Sequence, residues 1–190
     1  MHLGMTGKLL ATGEPAKHTY GFFTLDDGVL LYDDPRQFGR IEWGEARVKR
    51  LGPEPLTIGL AEFSAALRAR KTKVKALLLN QSFVAGLGNI YVDEILFTSG
   101  IHPLTSASRL STKRAGRLHQ AMVETLTLAI EHRGSSISDY VDADGNRGDF
   151  QMLHRAYGRE GKPCVNCGTA IKKVVVASRG THYCPVCQKR

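Results

Sequence analysis

Short apolar runs separated by turn residues mark the first fifty positions as strand-rich. Residues 20–25 are bulky and largely apolar, two aspartates and a glycine follow, and residues 29–32 are apolar again. Two such runs joined by a short polar turn predict a β-hairpin. Pro53 and Pro55 then end this pattern, because proline punctuates regular structure.

Beyond that boundary, apolar residues recur every three or four positions, which predicts helices. The repeating positions are Leu60, Phe63 and Leu67, then Val74, Leu77 and Leu78, then Ile90, Ile95 and Leu96. A longer helix is predicted over 112–132, ended by Gly134. We expect its apolar stripe to face the core; the stripe comprises Leu118, Met122, Leu126 and Ile130. Residues 134–148 are rich in Gly, Ser and Asp, which predicts a mobile loop.

Composition and charge narrow the class of protein. The chain has 190 residues, of which 42% are hydrophobic, and a formal net charge of +8. Residues 155–190 hold eight basic residues and one acid, so +7 of that charge lies in the C-terminal tail. A basic surface favours a polyanionic partner. No run of eighteen apolar residues and no signal peptide are visible, so we expect a cytoplasmic protein without a membrane partner.

Four cysteines in the same tail predict a metal site. They form two Cys-x2-Cys pairs, with sixteen residues between the pairs, and the chain has no other cysteine. Pairs at this spacing can present four sulfurs to one structural Zn²⁺ ion. Two redox-active pairs or two disulfides are the alternative, which a cytoplasmic location disfavours. The expected zinc ligands are Cys164, Cys167, Cys184 and Cys187.

A glycine-rich segment before the third helix suggests a phosphate site. Gly86-Leu87-Gly88 begins like a dinucleotide-binding motif, but Tyr91 replaces the third glycine and a helix precedes it. We expect Asn89 to cap a helix beginning at residue 90 or 91. Backbone N–H groups at such a helix start can bind a phosphate, although capping without any ligand is equally compatible with the local sequence.

Taken together, these segments resemble the bacterial formamidopyrimidine-DNA glycosylases, which remove oxidised purines such as 8-oxoguanine. The resemblance is carried by HLGMTG at 2–7, DPRQFG at 34–39, the run 80–103 with GLGNIY, YGR at 157–159, and the cysteine pairs with RGTHYC at 179–184. It implies an α+β fold in three parts. These are a partial N-terminal β-sandwich (1–51), a helical domain with a helix-two-turn-helix motif and a lesion loop (52–148), and a C-terminal zinc-finger β-hairpin (149–190).

The resemblance also implies a function and a set of site residues. The family consists of base-excision-repair DNA glycosylases with AP lyase activity, which extrude a damaged base from the duplex. Met5, Arg36 and Phe38 match the residues that fill the vacated space, although Met5 and Phe38 taken alone are typical core residues. Further DNA-binding positions are His18, Arg70, Lys75 and Asn89. Arg179 matches a residue assigned to phosphate binding and to proton donation; an arginine stays protonated near neutral pH, which favours the phosphate clamp.

The partner implied is damaged double-stranded DNA. We expect a bacterial, nucleoid-associated protein that acts as a monomer.

One departure from the family pattern concerns the nucleophile. Family members begin with a proline, whose amine attacks the sugar, followed by a glutamate, and they carry a catalytic lysine further on. None of the three has a counterpart here, since the chain begins Met1-His2. We therefore expect an N-terminally truncated glycosylase that is inactive alone. The alternatives are a non-catalytic zinc-containing module that binds damaged DNA, and a sister glycosylase for oxidised pyrimidines.

Overall fold

Three antiparallel strands form the sheet of the first unit, in the order β1–β3–β2. The computed structural model describes every residue except Met5, Thr12, Ser138 and Asp139. The strands are β1 (Lys8–Leu10), β2 (Thr19–Leu25) and β3 (Gly28–Asp33). The predicted hairpin is confirmed, because β2 and β3 pair with Leu25 opposite Gly28.

The first unit comprises Met1–Glu45 and Ala129–Leu153. Its described part buries few large apolar side chains, among them Leu31, Tyr32 and Phe150. Several large side chains of the β2–β3 hairpin are exposed: Phe22 is 60% exposed, and Tyr20, Leu25 and Val29 are also exposed. The core of this unit is therefore small for its length.

The second unit comprises Ala46–Leu128 and His154–Arg190 and holds the helices and the C-terminal hairpin. The predicted helices are confirmed. Helices and strands in chain order are α1 (Leu60–Arg68), α2 (Val74–Leu78), α3 (Asn89–Thr98), α4 (Thr112–Glu131), β4 (Lys172–Val176) and β5 (Arg179–Tyr183). Short 3₁₀ turns occur at Val48–Arg50, Ala107–Arg109 and Phe150–Leu153, the last of them in the first unit.

Apolar side chains from α1 to α4 form one core in the second unit. Phe63, Val92 and Leu118 are completely buried in it, as the helical period predicts. The predicted α4 stripe is correct through Leu126 and wrong at Ile130, which is 64% exposed. The reason is that the core ends at Leu126. Among the described residues, no helix is both long and apolar enough to cross a membrane.

Candidate nucleic-acid interface and zinc site

The four cysteine sulfurs converge to one point in the second unit. All four lie within 4.8 Å of one another. Two of the Sγ–Sγ distances are 3.9 Å, between Cys164 and Cys187, and 3.5 Å, between Cys167 and Cys184. A tetrahedral zinc ion with bonds of about 2.3 Å needs sulfurs about 3.8 Å apart. The cluster therefore has the dimensions of a site for one Zn²⁺ ion.

Backbone donors around the cluster support thiolate ligands. The N–H of Asn166 donates to Cys164 Sγ at 3.5 Å, and that of Cys187 donates to Cys184 Sγ at 3.4 Å. Burial, followed by the neighbouring thiols, raises the pKa of Cys187. Thiols packed this closely resist becoming four anions together, so a bound divalent cation would stabilise the cluster.

The hairpin that carries the second cysteine pair also presents Arg179. Strands β4 and β5 pair from Lys172 opposite Tyr183 to Val176 opposite Arg179. The two turn residues, Ala177 and Ser178, have φ of 50° and 58°. Left-handed backbone at both positions is the turn geometry that matches strand twist. Arg179 is the first residue after this turn and is exposed.

Helix α3 begins beside this hairpin, and Asn89 joins the two. The helix starts at Asn89 after Gly88, and no side chain caps its first turn. The prediction that Asn89 caps the helix is therefore wrong. Its side-chain amide donates instead to the carbonyl of Gly180, at 3.0 Å. The Asn89 Oδ1 atom is buried without a hydrogen-bond partner among the described residues.

Lys75 lies under the same hairpin rather than on the surface. Its side chain and that of Asp93 are fully buried, and Lys75 Nζ lies 2.5 Å from Asp93 Oδ1. Burial lowers the pKa of Lys75 and raises that of Asp93, and their mutual attraction opposes both shifts. We expected Lys75 to bind DNA. Its ammonium group is already occupied by a carboxylate, and a direct phosphate contact from it stays a prediction.

The next residue on α3, Glu94, holds the start of the C-terminal tail. Its carboxylate accepts three backbone N–H bonds, from Arg155 at 2.8 Å, Ala156 at 3.0 Å and Tyr157 at 2.7 Å. The side chain is buried, and burial raises its pKa while the three donors lower it. Three donors stabilise a buried carboxylate in the way that a cation does. Glu94 thus fixes where the tail leaves the helical core.

In the first unit, a turn after β3 presents two of the expected DNA-contacting side chains. Arg36 Cζ lies 4.8 Å from the centre of the Phe38 ring, a cation–π contact, and Phe38 is 56% exposed. Gln37 between them has φ of 55° and donates to the Tyr20 hydroxyl at 2.7 Å. The side chains of Arg36 and Phe38 are both exposed.

A buried carboxylate, Asp34, organises that turn. It accepts hydrogen bonds from the Thr6 hydroxyl at 2.7 Å, the Tyr32 hydroxyl at 3.0 Å and the Gly39 N–H at 2.7 Å. Burial raises the pKa of Asp34, but these bonds and one from the Arg36 N–H outweigh it and lower the pKa overall. Gly39 must lack a side chain, because a Cβ there meets the Tyr32 hydroxyl.

Three expected site residues remain, namely Met5, His18 and Arg70. Met5 is outside the described residues. His18 is half-buried, with its Nδ1 lacking a hydrogen-bond partner in the described part of the chain. Arg70 is exposed just beyond the end of α1. Their roles in DNA binding stay predictions.

Three buried acids were missed when the sequence was read alone. Asp93 and Glu94 interrupt an otherwise apolar helix, and Asp34 follows an apolar strand. Acids are rarely fully buried without partners, so their position on apolar elements is a signal that could have marked them.

Models of known protein families match three parts of the chain. Residues 1–41 match the formamidopyrimidine-DNA glycosylase N-terminal domain, and residues 51–141 match the formamidopyrimidine-DNA glycosylase H2TH domain. Residues 161–190 match a zinc finger found in FPG and IleRS. The combination defines a class of protein in which a helix-two-turn-helix domain is followed by a zinc finger.

Curated relatives give the family. A formamidopyrimidine-DNA glycosylase of Solibacter usitatus is 56% identical over 193 residues, covering 100% of this chain and 73% of the relative. One from Herpetosiphon aurantiacus is 46% identical over 201 residues, covering 99% of this chain and 73% of the relative. The chain therefore belongs to the formamidopyrimidine-DNA glycosylase family.

Solved structures agree with this assignment. The MutM (FPG) protein of Thermus thermophilus has a TM-score of 0.86 at 43% identity, covering 98% of this chain and 73% of that one. The Lactococcus lactis Fpg in complex with DNA containing an abasic site has a TM-score of 0.85 at 39% identity, covering 100% and 74%. The α+β fold and the zinc-finger prediction are confirmed. The two alternative functions, a non-catalytic module and a pyrimidine-specific sister enzyme, are not favoured.

Proposed function

We propose that this chain binds damaged double-stranded DNA through a phosphate-binding surface formed by the start of α3 and the tip of the zinc hairpin. The observation that carries the proposal is the hydrogen bond from Asn89 to Gly180, next to Arg179. This hydrogen bond holds the residue next to Arg179 against the first residue of α3, whose N-terminus has no side-chain cap. Related structures of Lactococcus lactis Fpg with DNA that contains Fapy-dG or an abasic site support it.

Each group on this surface suits a phosphate. The first N–H groups of α3 lack a side-chain cap, and the positive end of the helix dipole lies there. Arg179 can hold phosphate oxygens through paired N–H donors. Much of the chain's positive charge is in the same tail, which strengthens binding to a polyanion.

In the first unit, Arg36 and Phe38 are proposed to contact the DNA where the damaged base has been extruded. An exposed aromatic ring can stack against an opened base step, and an arginine can donate to the base left unpaired. Met5 joins them by the family resemblance. His18 and Arg70 are proposed as further DNA-binding positions, and Lys75, buried beneath the hairpin, is proposed to contribute to DNA binding through its contact with Gly180. The three-part division of the chain, the monomeric state and the cytoplasmic, nucleoid-associated location stay predictions.

Binding to defined duplexes tests the proposal. We expect tighter binding to a duplex with an abasic-site analogue than to the undamaged duplex. Asn89→Ala and Arg179→Ala should each weaken binding by about tenfold, the effect of losing one charge-assisted hydrogen bond. Lys113→Ala, which removes one exposed charge from α4, is the matched control. Equal loss in the control and in Arg179→Ala would show only non-specific attraction.

The relatives are named as glycosylases, and the family is one of enzymes. For these 190 residues we propose the recognition of damaged DNA; none of them matches the proline whose amine serves the family as nucleophile. Arg179 is then a phosphate clamp. Borohydride trapping on a duplex with 8-oxoguanine opposite cytosine checks this: we expect binding without a trapped adduct. A trapped adduct would mean that another amine of the chain acts as the nucleophile.

A further inference from the structure

The buried pair Lys75–Asp93 reaches the zinc hairpin at three points. Lys75 Nζ lies 3.3 Å from the Gly180 carbonyl oxygen. Asp93 Oδ2 accepts the His182 N–H at 2.8 Å and lies 3.2 Å from His182 Nδ1. With the Asn89 amide on the same carbonyl, polar groups of α2 and α3 hold alternate residues of β5.

These contacts fall where they control Arg179. The hairpin turn ends at Ser178, Arg179 follows, and Gly180 is the next residue. Gly180 and His182 are held by hydrogen bonds from α2 and α3. The backbone of Arg179 is therefore prevented from sliding along α3 or tilting away from it. Far from the turn, the hairpin is held separately, by the packing of Cys184 and Ile171 against Phe97.

Stability alone is a poor explanation for this pair. A buried ion pair loses its hydration, and apolar residues of similar volume often hold a core as well or better. What an apolar pair cannot do is direct hydrogen bonds to one carbonyl and one N–H, and so fix the hairpin in a single position. Both groups are fully buried, so neither is exposed to a ligand itself.

We propose that Asp93 is a positioning residue: together with Lys75 it fixes the hairpin tip so that Arg179 points at the DNA backbone. This rests on the proposed function of Arg179 as a phosphate clamp. Asp93 touches no DNA in this proposal; it acts through Gly180 and His182.

A double-mutant cycle tests the proposal, with binding to the abasic-analogue duplex as the readout. The single variants are Asp93→Asn and Arg179→Ala, and the third protein carries both substitutions. We expect each single variant to bind about tenfold more weakly, as for a lost charge-assisted contact. In the Arg179→Ala background, Asp93→Asn should have no further effect, because its only route to DNA has been removed. Glu62→Gln, which removes an exposed acid from α1, controls for the change in net charge.

Salt dependence supplies a readout that a purely structural role does not move. Log affinity falls linearly with log salt concentration, and each lost phosphate contact makes this slope shallower by about 0.9. We expect Asp93→Asn and Arg179→Ala to show the same reduction, and Glu62→Gln to show none. Bound zinc, at one ion per chain, is measured in every variant.

Asp93→Asn leaves a buried ammonium group without its anion, which can prevent folding. The second variant is therefore Lys75→Met with Asp93→Leu, which removes both charges and all three hairpin contacts. We expect it to bind zinc and to show the affinity and salt slope of Arg179→Ala.

The outcomes separate the two proposals. Wild-type affinity in Arg179→Ala overturns the clamp, and the positioning role with it. If Arg179→Ala weakens binding while the Lys75–Asp93 variants bind like wild type, or weaken binding equally with and without Arg179, the positioning role alone is wrong.

Discussion

At the scale of single residues, the described structure is marked by acids buried on hydrogen-bond donors. Asp34, Asp93 and Glu94 each accept two or more backbone or side-chain bonds. Each organises a segment that carries a proposed DNA contact or the zinc tail. A carboxylate does this well because it offers two oxygens with several acceptor directions each.

Asp34→Ala tests this at the turn that carries Arg36 and Phe38. The substitution leaves two hydroxyls and two backbone N–H groups without their acceptor, so we expect the free energy of unfolding to fall by roughly 2–4 kcal/mol. Urea unfolding measures it, with Glu14→Ala, at an exposed acid, as the control. A loss no larger than that of the control would show that the donors find other partners.

His154 gives a pH-dependent prediction. Burial lowers its pKa from 6.5 to about 4, and its ring packs edge-on against Tyr157. The folded protein therefore favours the neutral ring. The stability from this preference is fully present above pH 6.5 and is lost as pH falls toward 4; between pH 7 and 5 the loss is about 2 kcal/mol.

His154→Gln should remove that part of the pH dependence, measured as the free energy of unfolding at pH 7 and at pH 5. Because wild type and variant carry the same cysteines, loss of zinc at acid pH cancels in the comparison. The same substitution at the exposed His2 is the control. Identical pH dependence in His154→Gln and wild type would contradict the prediction.

At the scale of elements, local sequence patterns were sufficient to predict the hairpin and the helices. The reason is that strand alternation, turn residues and the helical period all act within a few positions. The cysteine spacing was sufficient for the zinc site for the same reason. Asn89 shows where local patterns fail. The local sequence predicted a helix cap, but the Asn89 side chain donates a hydrogen bond to the carbonyl of Gly180, 91 positions further along the chain. Likewise, the donors that surround Glu94 lie 61–63 positions away, beyond the reach of any local pattern.

Removing the zinc ligand set tests the hairpin as an element. Cys184→Ser, or treatment with a strong chelator, should unfold the tail, because metal binding supplies much of the folding free energy of so small a hairpin. We expect binding to the damaged duplex to fall at least as far as in Arg179→Ala. The measurements are bound zinc, circular dichroism and duplex affinity. Unchanged affinity after zinc loss would exclude the tail from the binding surface.

At the scale of the whole molecule, the two units differ in how much apolar surface they bury. Both apolar core clusters of the described residues lie in the second unit. In the first unit, several aromatic and aliphatic side chains of the β2–β3 hairpin are exposed. Since burial of apolar area drives folding, the first unit should be the less stable one.

Hydrogen exchange with limited proteolysis measures this difference. We expect backbone amides of β2 and β3 to exchange faster, and protease to cut there earlier, than in α3 and α4. Added damaged duplex should slow exchange at the turn carrying Arg36 and Phe38, if that turn contacts DNA as proposed. Equal protection of β2 and α3 without DNA would show that the exposed side chains of the β2–β3 hairpin are covered in solution.

Asp93 and Glu94 are consecutive residues, yet they hold opposite ends of the tail: Glu94 the entrance at 155–157, and Asp93 the strand at His182. For protein engineering, this means that the attachment of the zinc hairpin depends on two residues of the helical domain, outside the hairpin itself. If the zinc hairpin is transplanted to another helical protein, a helix of the recipient has to carry the same acidic pair and present both carboxylates to the hairpin. Without that pair, the transplanted hairpin should still bind zinc but would not be held in a fixed position on the helix.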